Sequence, residues 1–226
     1  MSAPPPARTA LVFAGGDPVP SSVLPRLPAG ETLVVAADSG VEHALALGQR
    51  VDLVVGDLDS ADPAAVAKVE ADGAVVEQHA AEKDQTDLEL ALRAAVARGA
   101  TRLVVVGGYG GRLDHFLANA LVLAGDAAGE VAIEWVTGNA LVTVVHDHAT
   151  LTGRAGDLCS LVAVGGTARG VRTRALRYPL DDDDLLPGST RGVSNELAAP
   201  TAEVWVDDGT VLAIQPDPDS PTAERT

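Results

Sequence analysis

Along residues 9–137 the chain repeats one pattern: a short apolar run, a turn rich in Gly or Asp, then a segment with apolar positions three and four apart. The runs are ALVFAGG (10–16), TLVVAAD (32–38), DLVVGD (52–57), AVVEQ (74–78), RLVVVGG (102–108) and VAIEWV (131–136). Mostly continuous Val, Leu and Ala suit strands covered on both faces. Between them VEHALALG (41–48), PAAVAKVEADG (63–73), TDLELALRAAVARG (86–99) and RLDHFLANALVLAG (112–125) predict helices. The third places Leu88, Ala91, Leu92, Ala95 and Val96 on one core-facing stripe. Strand and helix in alternation predict an α/β domain built on a doubly wound, mainly parallel sheet. Ligands of such sheets sit beyond the carboxyl ends of the strands.

The pattern changes near residue 138. ALVTVV (140–145), LTGRAGDLCSLVAV (151–164), GVRTRAL (170–176), AEVWVD (202–207) and TVLAI (210–214) read as short strands separated by Gly, Asp and Pro turns. A C-terminal all-β sandwich or barrel over 138–215 is the expected closure. DDDDLLPGSTRG (181–192) reads as a solvated polar loop rather than a metal site. Residues 1–8 and 216–226 have the composition of disordered tails.

Composition narrows the function classes. With 46% apolar and 21% charged residues the chain can bury a substantial core. The net charge of −16 argues against nucleic acid or an anionic membrane as a partner. No apolar run reaches the length of a membrane span, and the start lacks a secretory signal's apolar stretch, so a cytoplasmic protein is expected. The single cysteine, Cys159, gives no disulfide framework and no zinc cluster, and reads as a buried hydrophobe.

The acidic residues carry the chemistry. Asp38 ends the second run, Asp57 and Asp59 follow the third in VVGDLDS, Asp84 and Asp87 stand in KDQTD before a helix, and Asp114 follows GGYGGR. In the expected fold these loops converge. Carboxylates gathered in one crevice repel unless a cation joins them. Mg²⁺ is the simplest remedy, because it takes oxygen ligands and pairs one or two carboxylates with substrate phosphates. Asp57 and Asp59 are thus expected to hold Mg²⁺ and, through it, phosphate. The competing explanation is helix capping by Asp59 or Ser60 ahead of Pro63. In KDQTD, Thr86 and Glu89 form a capping box, Asp87 is free to ligate metal as well as favour the helix dipole, and Lys83 offers a charge to phosphate.

GGYGGRLDH (107–115) joins a strand to a helix. It matches neither the Walker A pattern nor the dinucleotide fingerprint. Its glycines, Gly108 and Gly111 among them, still permit close approach of backbone to an anion at a helix N-terminus, and Arg112 adds a fork of donors. His115 is divided between a helix-face role and ligand contact. His146 and His148 are read as surface residues, without zinc.

The ordered set AADSG, GDLDS, KDQTDLELAL, GGYGGRLDH, LRYPL and GVSNE resembles bacterial-type thiamine pyrophosphokinase across residues 10–214. The resemblance implies an N-terminal α/β catalytic domain (9–137), a C-terminal thiamine-binding β-sandwich, and a homodimer with active sites between subunits. It implies transfer of a pyrophosphoryl group from ATP to thiamine, releasing AMP. Asp57, Asp59 and Asp87 match the family's Mg²⁺-binding acids, and Asp38, Arg112 and Asp114 the adjoining nucleotide and catalytic positions. Lys83, Asp84, Gly108, Gly111 and His115 fall in the motifs assigned to ATP. Ser194 and Asn195 match the motif near thiamine, with Tyr178, Trp135 and Trp205 as stacking candidates. Ala175 stands where the family pattern carries Gly.

Two other readings share the acids: a Mg²⁺-dependent phosphohydrolase of a nucleotide or sugar phosphate, and a non-catalytic thiamine- or nucleotide-binding module. Asp38 and Asp114 both remain plausible general bases.

Overall fold

The computed structural model describes residues 8–217 except Glu31 and Glu130. The expected tails therefore lie almost wholly outside the described residues. Arg8 is the exception at one boundary, since its backbone donates to Thr101 Oγ1 and its guanidinium to the Arg98 carbonyl. The chain divides into two compact units, one running to Val122 and taking in Asp126–Gly138, the other made of Leu123–Gly125 and the chain from Asn139.

The first unit contains strands β1 (Thr9–Ala14), β2 (Leu33–Ala37), β3 (Leu53–Gly56), β4 (Val75–Gln78), β5 (Arg102–Gly107) and β6 (Ala132–Thr137). Its helices are α1 (Gly40–Ala46), α2 (Pro63–Ala71), α3 (Asp87–Ala97) and α4 (Leu113–Ala124). Each lies within two residues of the segment predicted for it. The strands pair in parallel in the order β4-β3-β2-β1-β5-β6. The order runs outward from β1 to β4, then returns to add β5 and β6 beside β1. Right-handed crossovers then put the connections before and after the reversal on opposite faces of the sheet. Double coverage explains the unbroken apolar runs, with Val12, Phe13, Val35, Val54, Val104 and Val105 fully buried. AVVEQ departs from that rule because β4 is the edge strand, leaving Val75 56% exposed.

Helix α3 buries Leu88, Ala91, Leu92 and Ala95, the stripe read from its spacing, while Val96 is half-buried. Thr86 caps it by accepting from Glu89 N at 3.2 Å. The reciprocal half of the capping box is not formed, because the Glu89 carboxylate pairs with Arg93 one turn on, at 2.8 Å.

The second unit is antiparallel throughout: β7 (Ala140–Val145), β8 (His148–Thr152), β9 (Leu158–Arg174), β10 (Asp183–Leu185), β11 (Asn195–Glu196), β12 (Thr201–Trp205) and β13 (Asp208–Gln215). Two segments read as separate short strands are one: β9 runs for 17 residues. Its first part pairs with β13 and its last residues with β12, so one strand joins both partners. The core gathers Val145, Leu151, Cys159, Leu161, Val171, Leu185, Leu197, Val204 and Val211. Burial pushes the Cys159 thiol up to about 12, which leaves it an inert apolar filler as expected. The acidic segment is not wholly a solvated loop, since Asp183–Leu185 pairs with β9 and Leu185 is buried. Ala175 adopts φ +58, a left-handed conformation that glycine would take with less strain.

Candidate active site

In the first unit a cleft of about 520 Å³ opens at the carboxyl ends of the strands. It straddles β1 and β5, the neighbours at which strand order reverses and where such sheets open a crevice. Gly15, Gly16 and Asp17 come from the end of β1; Asp38 and Ser39 follow β2; Asp57, Asp59 and Ser60 follow β3; Thr86 and Asp87 open α3; Gly108, Gly110, Gly111 and Arg112 follow β5.

Asp38, Asp57 and Asp59 each offer a carboxylate oxygen within 4.8 Å of the others. The helix-capping alternative for Asp59 and Ser60 fails, because Asp62 does that work: its Oδ1 accepts from Ala64 N at 2.9 Å and Pro63 follows it. Asp57 and Asp59 are thereby left to the cleft. Asp57 Oδ1 accepts from Asp59 N at 3.2 Å, fixing the turn between them. Gly56 is required where it stands. A Cβ there would press to 3.2 Å from both Asp38 Cβ and Asp87 Oδ1, and its φ is +155.

Electrostatics separates the acids. Burial pushes the Asp38 carboxyl up, although a hydrogen bond from the Ser39 backbone opposes this; Asp87, Asp59 and Asp57 raise it further. Asp38 is 9% exposed, and its buried Oδ1 has no hydrogen-bond partner. Asp57 moves the other way, held down first by the hydrogen bond from Lys83. A buried carboxylate with an unpartnered oxygen, grouped with two further carboxylates, offers the oxygen donors that a hard divalent ion takes.

The structure groups the sequence-derived residues unevenly. Asp38 joins Asp57 and Asp59 in the close trio, whereas Asp87 is tied to Lys83 at 2.8 Å. Gly108, Gly111, Arg112 and His115 line the cleft; Asp84 is exposed and outside its lining. Asp114 is also outside the lining and is paired with Arg112 at 2.6 Å, which holds its carboxyl at about 2. In the second unit, Asn195 is buried and bonded to the Tyr178 backbone. Ser194 is exposed at φ +58, and Tyr178 is exposed with the Arg177 guanidinium over its ring. Of the other aromatic candidates, Trp135 is core and donates to the Gly107 carbonyl at 2.8 Å, while Trp205 stacks on His148.

Sequence reasoning missed four contributors. Gly15, Gly16 and Asp17 end the first apolar run just as acids end the second and third, so the position itself was the available signal. Asn119 is buried on α4 and donates to the Gly108 carbonyl at 3.2 Å, fastening the glycine loop from behind. Only the loop's folded path reveals that contact.

Residues 24–133 match the family model for the catalytic domain of thiamin pyrophosphokinase, and residues 145–211 match that for its vitamin B1 binding domain. Thiamine pyrophosphokinase of Bacillus subtilis is 27% identical over 195 residues, covering 84% of this chain and 90% of that protein. The solved structure of thiamin pyrophosphokinase from Geobacillus thermodenitrificans superposes with a TM-score of 0.76 at 28% identity, over 94% of this chain and 99% of the other. That from Candida albicans, at 14% identity and a TM-score of 0.72 over 92% and 89% of the two chains, shares the fold.

Proposed function

As the chain belongs to the thiamin pyrophosphokinase family, we propose that the cleft of its first unit binds ATP with Mg²⁺ and that pyrophosphoryl transfer to thiamine occurs there. The observation that carries the site assignment is the grouping of the buried Asp38, whose Oδ1 has no hydrogen-bond partner, with Asp57 and Asp59 in a glycine-walled cleft at the strand-order reversal. Asp38, Asp57 and Asp59 would hold the ion, with Asp87 beside them. When bound, Mg²⁺ supplies positive charge to the phosphate oxygens.

The protein's own groups do the rest. The loops at Gly15–Gly16 and Gly108–Gly111 let backbone approach the phosphate chain closely, and Arg112 at the start of α4 adds donors. Lys83 lies within reach of Asp57 and Asp87 and offers a second cation to the transferred group. Asp114, held at about 2 by Arg112, is a poor proton acceptor and serves to orient the guanidinium. The thiamine hydroxyl oxygen attacks the β-phosphorus and gives up its proton to solvent; the bond from that phosphorus to the α,β-bridging oxygen breaks, and AMP leaves with that oxygen and the bonding electron pair. Such transfers need positioning and charge neutralisation rather than a covalent nucleophile.

The second unit is proposed to hold thiamine through the turn at Ser194, with Tyr178 exposed next to it in the Asn195 hydrogen-bond network. A homodimer is supported by α4, where Leu113, Leu117 and Leu121 stand at four-residue spacing and are 70%, 54% and 59% exposed. After Asp114 that helix carries no Asp, Glu, Lys or Arg, an uncharged face suited to a second copy of a chain whose net charge is −16. No described helix is long and apolar enough to cross a membrane; the reading assigns the enzyme to the cytoplasm, where ATP is supplied.

The deciding experiment incubates the protein with thiamine, ATP and Mg²⁺ and resolves the nucleotide products. AMP and thiamine diphosphate in equal amounts are expected. ADP with thiamine monophosphate as the first-formed pair would overturn the mechanism, and phosphate release without thiamine would favour a phosphohydrolase.

A further inference from the structure

Lys83 spans two acids of the cleft, its ammonium 2.9 Å from Asp57 Oδ2 and 2.8 Å from Asp87 Oδ1. The side chains of Lys83 and Asp57 are only 13% and 15% exposed, so solvent screens this pair far less than a surface ion pair. Both Asp57 oxygens are engaged, Oδ1 accepting from Asp59 N and Oδ2 from the ammonium, so an ion binding at Oδ2 meets the Lys83 charge directly. Asp38 Oδ1, in the same cleft, has no partner at all. One ammonium thus bridges Asp57 and Asp87, and Asp57 is itself grouped with Asp38 and Asp59, the acids that an incoming ion would use.

We propose that Lys83 is a resident counter-cation which a divalent ion must displace from Asp57, so that the ion binds tightly only with a phosphate chain that takes over the ammonium. The inference rests on the reading of the cleft as a site for a divalent ion and phosphate. Its physical basis is direct. Without phosphate, an entering ion either forgoes one ligand or breaks a shielded ion pair and leaves two cations side by side. A triphosphate gives the ammonium new anionic oxygens and frees Asp57. Ion and nucleotide then strengthen each other's binding by the same factor, as linkage requires. Lys83 is in this sense a positioning residue, acting on the ion through Asp57.

The test measures Mn²⁺ binding to the full chain by the electron paramagnetic resonance signal of free Mn²⁺, with and without α,β-methylene-ATP, each titration being referred to one without protein so that Mn²⁺ held by the analogue itself is discounted. Wild-type protein is expected to bind Mn²⁺ weakly alone and at least about tenfold more tightly with the analogue. Lys83→Met should bind Mn²⁺ alone about tenfold more tightly than wild type and lose most of the gain from the analogue. Lys83→Arg, which keeps the charge, should retain the wild-type pattern. Equal or weaker binding of Mn²⁺ alone by Lys83→Met overturns the inference while leaving the site reading intact. No Mn²⁺ binding by wild type, with or without the analogue, overturns both. A Lys83→Met protein that folds only when Mn²⁺ is present supports the inference, since the ion then replaces the ammonium. One that folds in neither buffer overturns it, by assigning Lys83 to the fold.

Discussion

Asn195 holds both backbone groups of Tyr178: its Oδ1 accepts from Tyr178 N at 3.0 Å and its Nδ2 donates to Tyr178 O at 2.7 Å. The carboxamide thus stitches β11 to a segment 17 residues away, and it does so buried. Asn195→Ala is expected to lower unfolding stability by about 2–4 kcal/mol, because three side-chain hydrogen bonds are lost, the third being from Glu196 N, and part-buried backbone groups are left unpaired. Urea unfolding measures this. Ser194→Ala, at the exposed neighbour, should change stability by less than about 0.5 kcal/mol yet raise KM for thiamine more than for ATP. Equal effects on both substrates would place Ser194 outside the thiamine site.

Asp57→Asn should leave the fold intact and reduce Mg²⁺-dependent turnover by at least about a hundredfold, since an amide is a poorer ligand for a hard cation and a weaker partner for Lys83. Circular dichroism checks the fold and the AMP assay the turnover. Asp181→Asn, on the exposed acidic segment, should alter neither.

Asp38 and Asp57 give opposite pH dependences in chelator. The folded Asp38 carboxyl lies above its ordinary 3.8, raised chiefly by burial, so its contribution to stability is full below 3.8 and is lost as pH rises through the folded value. Asp57, lowered chiefly by its hydrogen bond from Lys83, contributes above 3.8 and loses that contribution as pH falls through its folded value. Asp38→Asn should therefore raise the Tm of ion-free protein at pH 7 and bring little gain at pH 3.5. The backbone accepts the change, because φ at Asp38 is +47 and Asn tolerates that conformation. Activity should fall with the same substitution. An unchanged or lower Tm at pH 7 would contradict the charge assignment.

Gly16 and Ala175 make a contrasting pair. A Cβ at Gly16, where φ is +120, would collide with the Tyr109 carbonyl that receives the Asp17 N–H at 2.7 Å. Gly16→Ala should cost about 2 kcal/mol or more and raise KM for ATP by displacing the glycine loop. Ala175→Gly should instead stabilise by about 1 kcal/mol, relieving a left-handed alanine in the second unit that is not among the residues lining the cleft.

Leu117→Asp and Leu121→Asp test the proposed dimer. A charge on each of these exposed leucines should give monomers by light scattering at micromolar concentration, with the far-UV circular dichroism of the fold retained. A dimer that persists in the double variant would place the interface elsewhere.

Much of the first unit was legible because its strands are covered on both faces. Burial demands unbroken apolar runs such as Leu103–Val106, and the turns between them must be Gly or Asp. The acids that follow β2 and β3 could be named from position alone, since parallel strands deliver their carboxyl ends to one edge. Which acids meet was not legible. Spacing puts Asp87 and Asp57 in equivalent loops, but the path of the 79–86 segment sets Lys83 between them, and the positive φ at Asp38 turns that carboxylate inward. The second unit shows the same limit in its backbone. Periodicity found its apolar positions but divided β9 at the Gly165–Gly166 step, because continuity there depends on pairing with β10, β12 and β13, whose partner residues lie 12 (Val171 to Asp183) to 54 (Ser160 to Ile214) positions farther along the chain. Asp62 rather than Asp59 caps α2, and Asn119 reaches Gly108 from the next helix. Local sequence determines which residues are able to bury or to ligate; only the closing of distant segments on one another decides which partner each of them receives.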